Sequence, residues 1–325
     1  MLLLSTVWQR LAYSPYPWLL PLYPLGWLFR IITTYRRRLY RSGRLNQIRF
    51  SCPVIVVGNI TIGGTGKTPT VMWLAEFLSH HGYRPGVVSK GYKGAIEGPH
   101  LVEASDKPEA VGDEPLLMAQ QLKCPVVVSK KRAKGIQFLR NELNVDIVLM
   151  DDGMQHYAVA RDYEIAVLDG QRGLGNYQCL PAGPLREPAS RLETVDWLIS
   201  QGQSQKAKIN FSLQPSGCIQ IGNPLNTKPL GAFNGTVHAV AGIGNPQRFF
   251  DTLTAAGITI IQHAFADHHK FTADDFENIA SECIIMTDKD AVKCAGFGLA
   301  NAWRLSVVPH GLDTLGFELL NQLKG

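Results

Sequence analysis

"GNITIGGTGKTPT", residues 58–70, decides how this chain is read. It follows "CPVIVVGN" (52–59), a β-branched apolar run that predicts a buried strand. It leads into "PTVMWLAEFLSHHG", which predicts a helix starting at Pro69 and stopping at Gly82. Strand, glycine loop and helix in that order make a phosphate-binding loop. Gly63, Gly64 and Gly66, with Thr65 between them, let backbone N–H groups turn inward around phosphate oxygens. The helix adds its positive end, Lys67 reaches the outer phosphates, and Thr68 is placed to ligate Mg²⁺. The strict signature has Gly at position 61, where this chain has Thr61. The cradling residues lie in 63–68, so the departure is local. A plain glycine turn with a solvated lysine is the competing reading, and the flanking strand and helix weigh against it.

Downstream, strand and helix patterns alternate. "RPGVVSKGY" and "CPVVVS" predict strands, "GDEPLLMAQQL" and "KRAKGIQFLRNEL" helices, and "VDIVLM", "YEIAVLD" and "VDWLIS" further strands. Such alternation predicts an α/β fold, a mainly parallel sheet with helices on both faces, of the P-loop NTPase type. Ligands of such sheets bind at the carboxyl ends of strands, where the glycine loop, Asp151-Asp152 and Asp169 all fall. Residues 202–230 turn to Gln, Ser, Asn, Lys and Pro, with "KINFSL" and "CIQIG" as two short strands of a linker. "TVHAVAGIG", a helix from about 246, "ITIIQHAF", "CIIMTDKD" and "WRLSVV" then predict a second, smaller α/β domain. The expected division is 1–48, 49–201, 202–230 and 231–325.

The chain has 325 residues, of which 45% are hydrophobic and 18% charged, a globular composition too long for one ordinary core. Its six cysteines form no C-x-x-C pair, which fits a reducing compartment and argues against zinc. The net charge of +5 is uneven. Residues 1–50 hold eight Arg and no Lys, Asp or Glu, while the rest carries a net charge of −3. That is too local for a nucleic-acid-binding body and suits contact with an anionic surface.

The same N-terminal segment is rich in Leu, Trp and Tyr. Pro15, Pro17, Pro21 and Pro24 break its apolar run and Arg30 enters before it ends, so no spanning helix is expected. No small-residue cleavage site marks a signal peptide. Leu28, Ile32, Tyr35 and Leu39 fall on one helical face and Arg30, Arg37, Arg41 and Arg44 on another. That pattern describes either an amphipathic helix lying in a membrane interface or one packed on the protein's own core. The missing acids and the Trp/Tyr content favour the membrane.

Asp151-Asp152 after "VDIVLM" stands where a carboxylate opposite the phosphate loop holds Mg²⁺. Taken alone, Asp-Asp-Gly is more often a solvated turn. Asp113 before Glu114-Pro115 reads first as a helix N-cap, and "ADHHKF" (266–271) as a polar loop. "TDKDAVK" (287–293) has Lys third, whereas the guanine-specific pattern [NT]-K-x-D has it second, so GTP loses support.

Taken together, GNITIGGTGKTP (58–69), SKGY (89–92), GDEP (112–115), DDGMQH (151–156), LPAGPLREP (180–188), DHHKF (267–271) and TDKDAVK (287–293) resemble the tetraacyldisaccharide 4′-kinase family, the lipid A 4′-kinases. The resemblance spans nearly the whole chain. It implies transfer of the γ-phosphate of ATP, with Mg²⁺, to the 4′-hydroxyl of a tetraacyl glucosamine disaccharide 1-phosphate. The implied place is the cytosolic face of the bacterial inner membrane, with the anionic membrane surface as a partner, no nucleic acid and no obligate protein partner. By motif, it implies phosphate binding by residues 63–68, metal contacts by Thr68, Glu114, Asp151 and Asp152, and substrate contacts by Arg186 and His156. Asp113 and His268 match the family's acid–base pair, with His269 the neighbouring alternative. A histidine has a pKa suited to accepting the hydroxyl proton, and an aspartate behind it would orient the ring. The pair would form across a cleft between domains. Lys90, Lys93 and Asp288 stand where the family has Arg, Gly and Glu.

Two other readings compete. A P-loop switch NTPase accounts for the loop, the acids and two domains, but not for the sugar-site motifs or the N-terminus. A non-catalytic membrane scaffold requires Asp113 to be dispensable.

Overall fold

The computed structural model describes Trp8, residues 11–14 and residues 19–324. Of the prolines that interrupt the N-terminal run, Pro15 and Pro17 lie outside the described residues. Pro21 sits in a 3-10 turn, Leu20–Leu22, and Pro24 in the first turn of α1 (Tyr23–Arg41), where a missing N–H breaks no helical bond. α1 docks through Gly26. A Cβ there would lie 2.7 Å from Ala182 Cβ and 2.8 Å from the Cys179 carbonyl oxygen, so glycine is required for the approach. Phe29 packs against the core on the same side. Leu28, Ile32 and Tyr35 point the other way, 52%, 54% and 59% exposed. Among the described residues no helix is long and apolar enough to cross a membrane.

The first half of the fold runs β1 (Val54–Gly58), α2 (Lys67–His80), β2 (Pro85–Ser89), β3 (His100–Leu101), α3 (Pro108–Val111), α4 (Asp113–Gln121) and β4 (Val126–Val128). It continues through α5 (Arg132–Leu143), β5 (Ile147–Asp151), β6 (Tyr163–Asp169) and β7 (Trp197–Gln201). Every residue of β1, β2, β4 and β5 is buried, as expected of strands covered on both faces. Alternate side chains serve two cores. Ile55 and Val57 pack with Val71, Leu74 and Leu78 of α2, while Val54 and Val56 pack with Ile136 and Leu139 of α5.

The second half runs β8 (Ile209–Gln220), β9 (Asn223–Lys228), β10 (Thr236–Ala241), α6 (Pro246–Ala255) and β11 (Thr259–Ala264). Then come β12 (Ile284–Thr287), α7 (Asp288–Cys294), β13 (Ala302–His310) and α8 (Asp313–Lys324). The strand order is β11-β10-β12-β13-β8-β7-β6-β1-β5-β2-β4-β3, with β9 on β8. Pairing is parallel except at β3–β4, β8–β13 and β8–β9.

Two local expectations change. "KINFSL" and "CIQIG" belong to one strand, β8, and the second strand of the hairpin is Asn223–Lys228. Pro215 and Gly217 suggest a break, but a register shift between Ser306 and Val307 of β13 absorbs the misfit opposite them. β8 pairs with β7 as well as β13, so both halves share a single sheet. The C-terminal helix α8 lies beyond the elements read from the sequence. It returns to the first half, with Phe317 edge-on to Phe77 of α2 at 5.5 Å and Leu315, Leu319 and Leu320 in the shared core.

Candidate active site

Gly63 and Gly66 adopt φ of +91° and +88°, the left-handed backbone that favours glycine, and α2 begins at Lys67. Thr68 follows as the second helical residue, so its hydroxyl shares the helix N-terminus with the loop amides. Asn59 Nδ2 donates to Thr65 Oγ1 at 3.2 Å and to Thr61 Oγ1 at 3.4 Å, bracing the loop from inside. Thr61 itself forms an antiparallel bridge with Leu185. On either side of that bridge, Ile62 N donates to Pro184 O at 2.9 Å and Arg186 N to Ile60 O at 2.6 Å. The position normally given to glycine is therefore a pairing position here, and the LPAGPLREP segment is its partner.

β5 delivers Asp151 and Asp152 opposite this loop. Lys67 Nζ lies 3.8 Å from Asp152 Oδ1, and Arg186 Nη1 donates to both Asp152 oxygens at 3.0 and 2.8 Å. Burial raises Asp152, but the charges of Lys67 and Arg186 outweigh it and bring the carboxyl to about 2. Asp151 is the opposite case. Its burial, followed by the charges of Glu114 and Asp152, pushes its carboxyl well above the usual range. Ser89 Oγ donates to Asp151 Oδ2 at 3.1 Å, while Asp151 Oδ1 is buried without a partner. Arg132 is spent on the Asp151 backbone carbonyl, at 2.9 Å.

A buried carboxylate oxygen with no donor, beside two further carboxylates, is a local deficit of positive charge. Glu114, Asp151, Asp152 and the Thr68 hydroxyl are hard oxygen donors, the chemistry Mg²⁺ prefers. Among the described residues no three His, Cys, Asp or Glu side chains are gathered closely enough to hold a metal ion by themselves. Mg²⁺ ordinarily keeps waters and nucleotide phosphates as ligands, so an incomplete protein set fits it. His156 follows on the same segment. Burial, then Arg132, Arg161, Arg36 and Lys90, lower it to about 4, so it is neutral near pH 7.

The second half of the chain brings His268 to Asp113. Their Nδ1 and Oδ2 atoms are 3.0 Å apart across 155 residues of sequence. The N-cap expected at Asp113 is corrected: Gly112 occupies that position, at φ +93°, and Asp113 is the first residue of α4. Burial raises Asp113, but the His268 hydrogen bond and the charges of Lys289, His268 and Lys293 bring it to about 2. His269 turns away to Asp275, 3.1 Å from Nε2 to Oδ2, and packs on Phe265. Of the two histidines, His268 alone faces Asp113.

Lys289 is a residue that sequence reasoning passed over. Its sequence context bears on a guanine motif and on the family resemblance but assigns it no role, yet its Nζ donates to Glu114 Oε1 at 2.9 Å and lies 3.3 Å from His268 Nε2. Burial lowers its affinity for a proton, but Glu114, Asp113 and Asp267 more than reverse that. It stays a cation between the two carboxylates and the ring. Lys93, where the resemblance implies glycine, has φ +63°, a backbone conformation that favours glycine, and its Nζ reaches His268 O at 3.5 Å.

Asp169, at the end of β6, joins the halves again. Its Oδ2 accepts from Arg172 Nε at 3.0 Å and its Oδ1 from Arg248 Nη2 of α6 at 3.2 Å. Arg172 Nη2 also donates to the Gly64 carbonyl of the phosphate loop. Tyr13 stacks its ring on Arg172 at 5.2 Å and donates to Ile62 O at 2.8 Å.

Residues 18–323 match the family model described as Tetraacyldisaccharide-1-P 4′-kinase. A tetraacyldisaccharide 4′-kinase of Methylobacillus flagellatus is 44% identical over 318 residues, covering 97% of this chain and 95% of the relative. One of Tolumonas auensis is 46% identical over 305 residues, covering 93% and 92%. Among solved structures, LpxK from Aquifex aeolicus in complex with ATP superposes with a TM-score of 0.77 at 30% identity, covering 93% of this chain and 98% of that one.

Proposed function

The chain belongs to the tetraacyldisaccharide-1-P 4′-kinase family, and from that premise we propose how its own residues carry out the reaction. It is an ATP-dependent kinase that transfers the γ-phosphate to the 4′-hydroxyl of tetraacyl glucosamine disaccharide 1-phosphate in lipid A biosynthesis. No observation favours the switch NTPase reading.

Residues 63–68 cradle the ATP phosphates, with loop amides and the α2 N-terminus as backbone donors and Lys67 as the side-chain cation. Thr68, Asp151, Asp152 and Glu114 are the residues that would hold Mg²⁺, whose bound charge offsets that building up on the phosphate oxygens. The observation that carries this assignment is the buried, partnerless Asp151 Oδ1. Arg186 and His156 line the acceptor side, Arg186 fixed by Asp152 and His156 as a neutral hydrogen-bonding ring.

The acceptor hydroxyl must lose a proton as the phosphoryl group arrives, and the Asp113–His268 pair takes it. Asp113, held ionised, orients the ring through Nδ1 and stabilises its charge once protonated. Nε2 then points away from Asp113, toward Lys289, and is the atom that receives the proton. Because Asp113 and His268 come from different halves of the sheet, the competent site depends on how residues 49–201 and 231–325 are held by the 202–230 hairpin. The test is a phosphate-transfer assay on the disaccharide lipid. His268→Ala should lower kcat by about a hundredfold while the KM for ATP changes little. An unchanged kcat would remove His268 from the chemistry.

We further assign the protein to the cytosolic face of the inner membrane as a peripheral protein, with residues 1–48 as its contact. ATP and an amphiphilic acceptor must meet, and the outward row Leu28, Ile32 and Tyr35 supports an interfacial helix. Deleting residues 1–45 should release the protein from anionic vesicles. Undiminished binding would mean that α1 is only a packing element.

A further inference from the structure

Beyond the active site, α1 and the core line a half-open, arginine-rich pocket of about 240 Å³, beneath the C-terminal turns of the helix. Its charged lining comprises Arg37, Arg41, Arg49, Arg161, Arg191 and a single acid, Glu164. Glu164 is consumed by two of these, Arg161 at 2.8 Å and Arg191 at 2.5 Å. Arg49 has Asp162 at 3.1 Å, and Arg191 has Glu187 at 3.7 Å. Even with those outer acids counted, Arg37 and Arg41 have no carboxylate within ion-pair distance among the described residues.

The arrangement of Arg37 is the informative one. Its Nη2 donates to Thr194 Oγ1 at 2.5 Å, and Arg191 Nη1 donates to the same oxygen at 2.9 Å. The Thr194 hydroxyl gives its own proton to the Arg191 carbonyl at 2.8 Å. Two guanidinium groups thus converge on one neutral acceptor. Burial, and next the Arg191 charge, make Arg37 a weaker base than usual. Helix-dipole compensation accounts for Arg41 in the last turn, but not for Arg37, which lies earlier and faces another cation. Arg37 and Arg41 are four residues apart, so they stack on one face of α1, the face of Gly26 that turns toward the core, opposite the outward row Leu28, Ile32 and Tyr35, with Arg41 exposed at its edge.

We propose that this cavity binds a phosphate carried by a lipid, with Arg37 and Arg41 donating to its oxygens and Arg191 and Arg49 adding charge behind them. Planar guanidinium donors around a dianion or monoanion form the strong class of hydrogen bond, and they relieve the Arg37–Arg191 repulsion. Two lipids could present that phosphate. One is a bilayer phospholipid, a source that rests on the interfacial reading of α1. The other is the acceptor through its 1-phosphate, since Tyr157 of the lining adjoins His156 and Arg36 Nη1 donates to Gln155 O at 3.3 Å.

The test compares the wild type with Arg41→Gln, with Arg37→Gln plus Arg41→Gln, and with a charge-matched control, Arg38→Gln plus Arg44→Gln. Two quantities are read: sedimentation with phosphatidylcholine vesicles with and without phosphatidylglycerol, and the KM for the acceptor in neutral detergent. General attraction to an anionic surface should cost roughly fivefold in binding per arginine, on either flank. A bilayer phosphate in the cavity makes the Arg37/Arg41 pair lose about tenfold more vesicle binding than the control, with the detergent KM unchanged. An acceptor phosphate instead raises that KM about tenfold, with vesicle binding lost only to the level of the control. Equal losses on vesicles together with an unchanged KM overturn the site. If the wild type itself ignores phosphatidylglycerol, the interfacial reading fails, and the cavity stands or falls on the KM alone. Should the double variant not fold, Arg41→Gln decides by the same comparison against Arg38→Gln, since Arg41 makes no hydrogen bond among the described residues.

Discussion

Lys289 Nζ stands 3.3 Å from His268 Nε2 and 2.9 Å from Glu114 Oε1, a cation between the ring proposed to receive the proton and a carboxylate proposed to hold the metal. The ammonium can only donate, so in this arrangement His268 presents Nε2 as the acceptor and its Nδ1–H to Asp113. Lys289 thereby fixes the tautomer that a base requires. It also adds to the charges that keep Asp113 ionised.

Replacing Lys289 with Met should therefore change more than stability. With its charge gone, the positive neighbour that opposes a proton arriving at Nε2 is removed, so the acid limb of the kcat profile moves upward. The maximal rate should fall by about tenfold to a hundredfold, with a smaller change in the KM for ATP. A full pH–rate profile of both proteins is the measurement. An acid limb that stays in place would mean that Lys289 does not act through the pair.

Asp113 also supports a stability prediction. Its folded value, about 2, lies below the ordinary 3.8, so its ionised form favours the folded state. That contribution is present above the unfolded value and is lost as pH falls through the folded one. From the shift, it is on the order of 2 kcal/mol. Urea unfolding of wild type and Asp113→Asn should differ by that order at pH 6 to 7 and converge as pH drops from about 4 toward 2. A gap that persists unchanged at low pH would point to lost packing instead of lost charge.

The strands and the phosphate loop were legible because β-branched apolar runs and glycine punctuation are local signals. The same locality hid other features. Pro215 and Gly217 read as an interruption, yet antiparallel pairing with β13 carries β8 through them. Lys289 was invisible as a site residue because its partners lie 175 and 21 residues away. Asp113 and His268 came from a resemblance, since spacing alone cannot bring 113 to 268. The last helix does carry a local signal: Leu315, Leu319 and Leu320 recur at helical spacing, and all three are buried. The face of α1 was readable as a pattern, but whether it turned inward depended on Gly26, whose fit against Ala182 no periodicity encodes.

Arg248 gives a prediction about the link between halves. It is one-third exposed and shares the buried Asp169 with Arg172, which in turn touches the phosphate loop at Gly64. Partly exposed pairs contribute at most about 1 kcal/mol, so Arg248→Met should raise the KM for ATP by about threefold to fivefold and leave the fold intact. The Asp169 charge remains paired with Arg172 in that variant. A KM equal to that of the wild type would show that the second half does not position the phosphate loop through Asp169.

Thr61 invites the reverse experiment, restoring the glycine of the strict signature. Its side chain is 1% exposed, its hydroxyl accepts from Asn59, and its backbone pairs with Leu185. Thr61→Gly removes that packing and adds backbone freedom to the unfolded chain, together costing about 1 to 2 kcal/mol. The amides of residues 63–66 are untouched, so the KM for ATP should stay within about twofold of the wild type. Denaturant unfolding and ATP titration of the variant measure both. If stability held and ATP affinity rose, position 61 would belong to the nucleotide site after all. The bridge to Leu185 predicts the opposite: position 61 serves the contact between the loop's first residues and the segment carrying Arg186, not the phosphates.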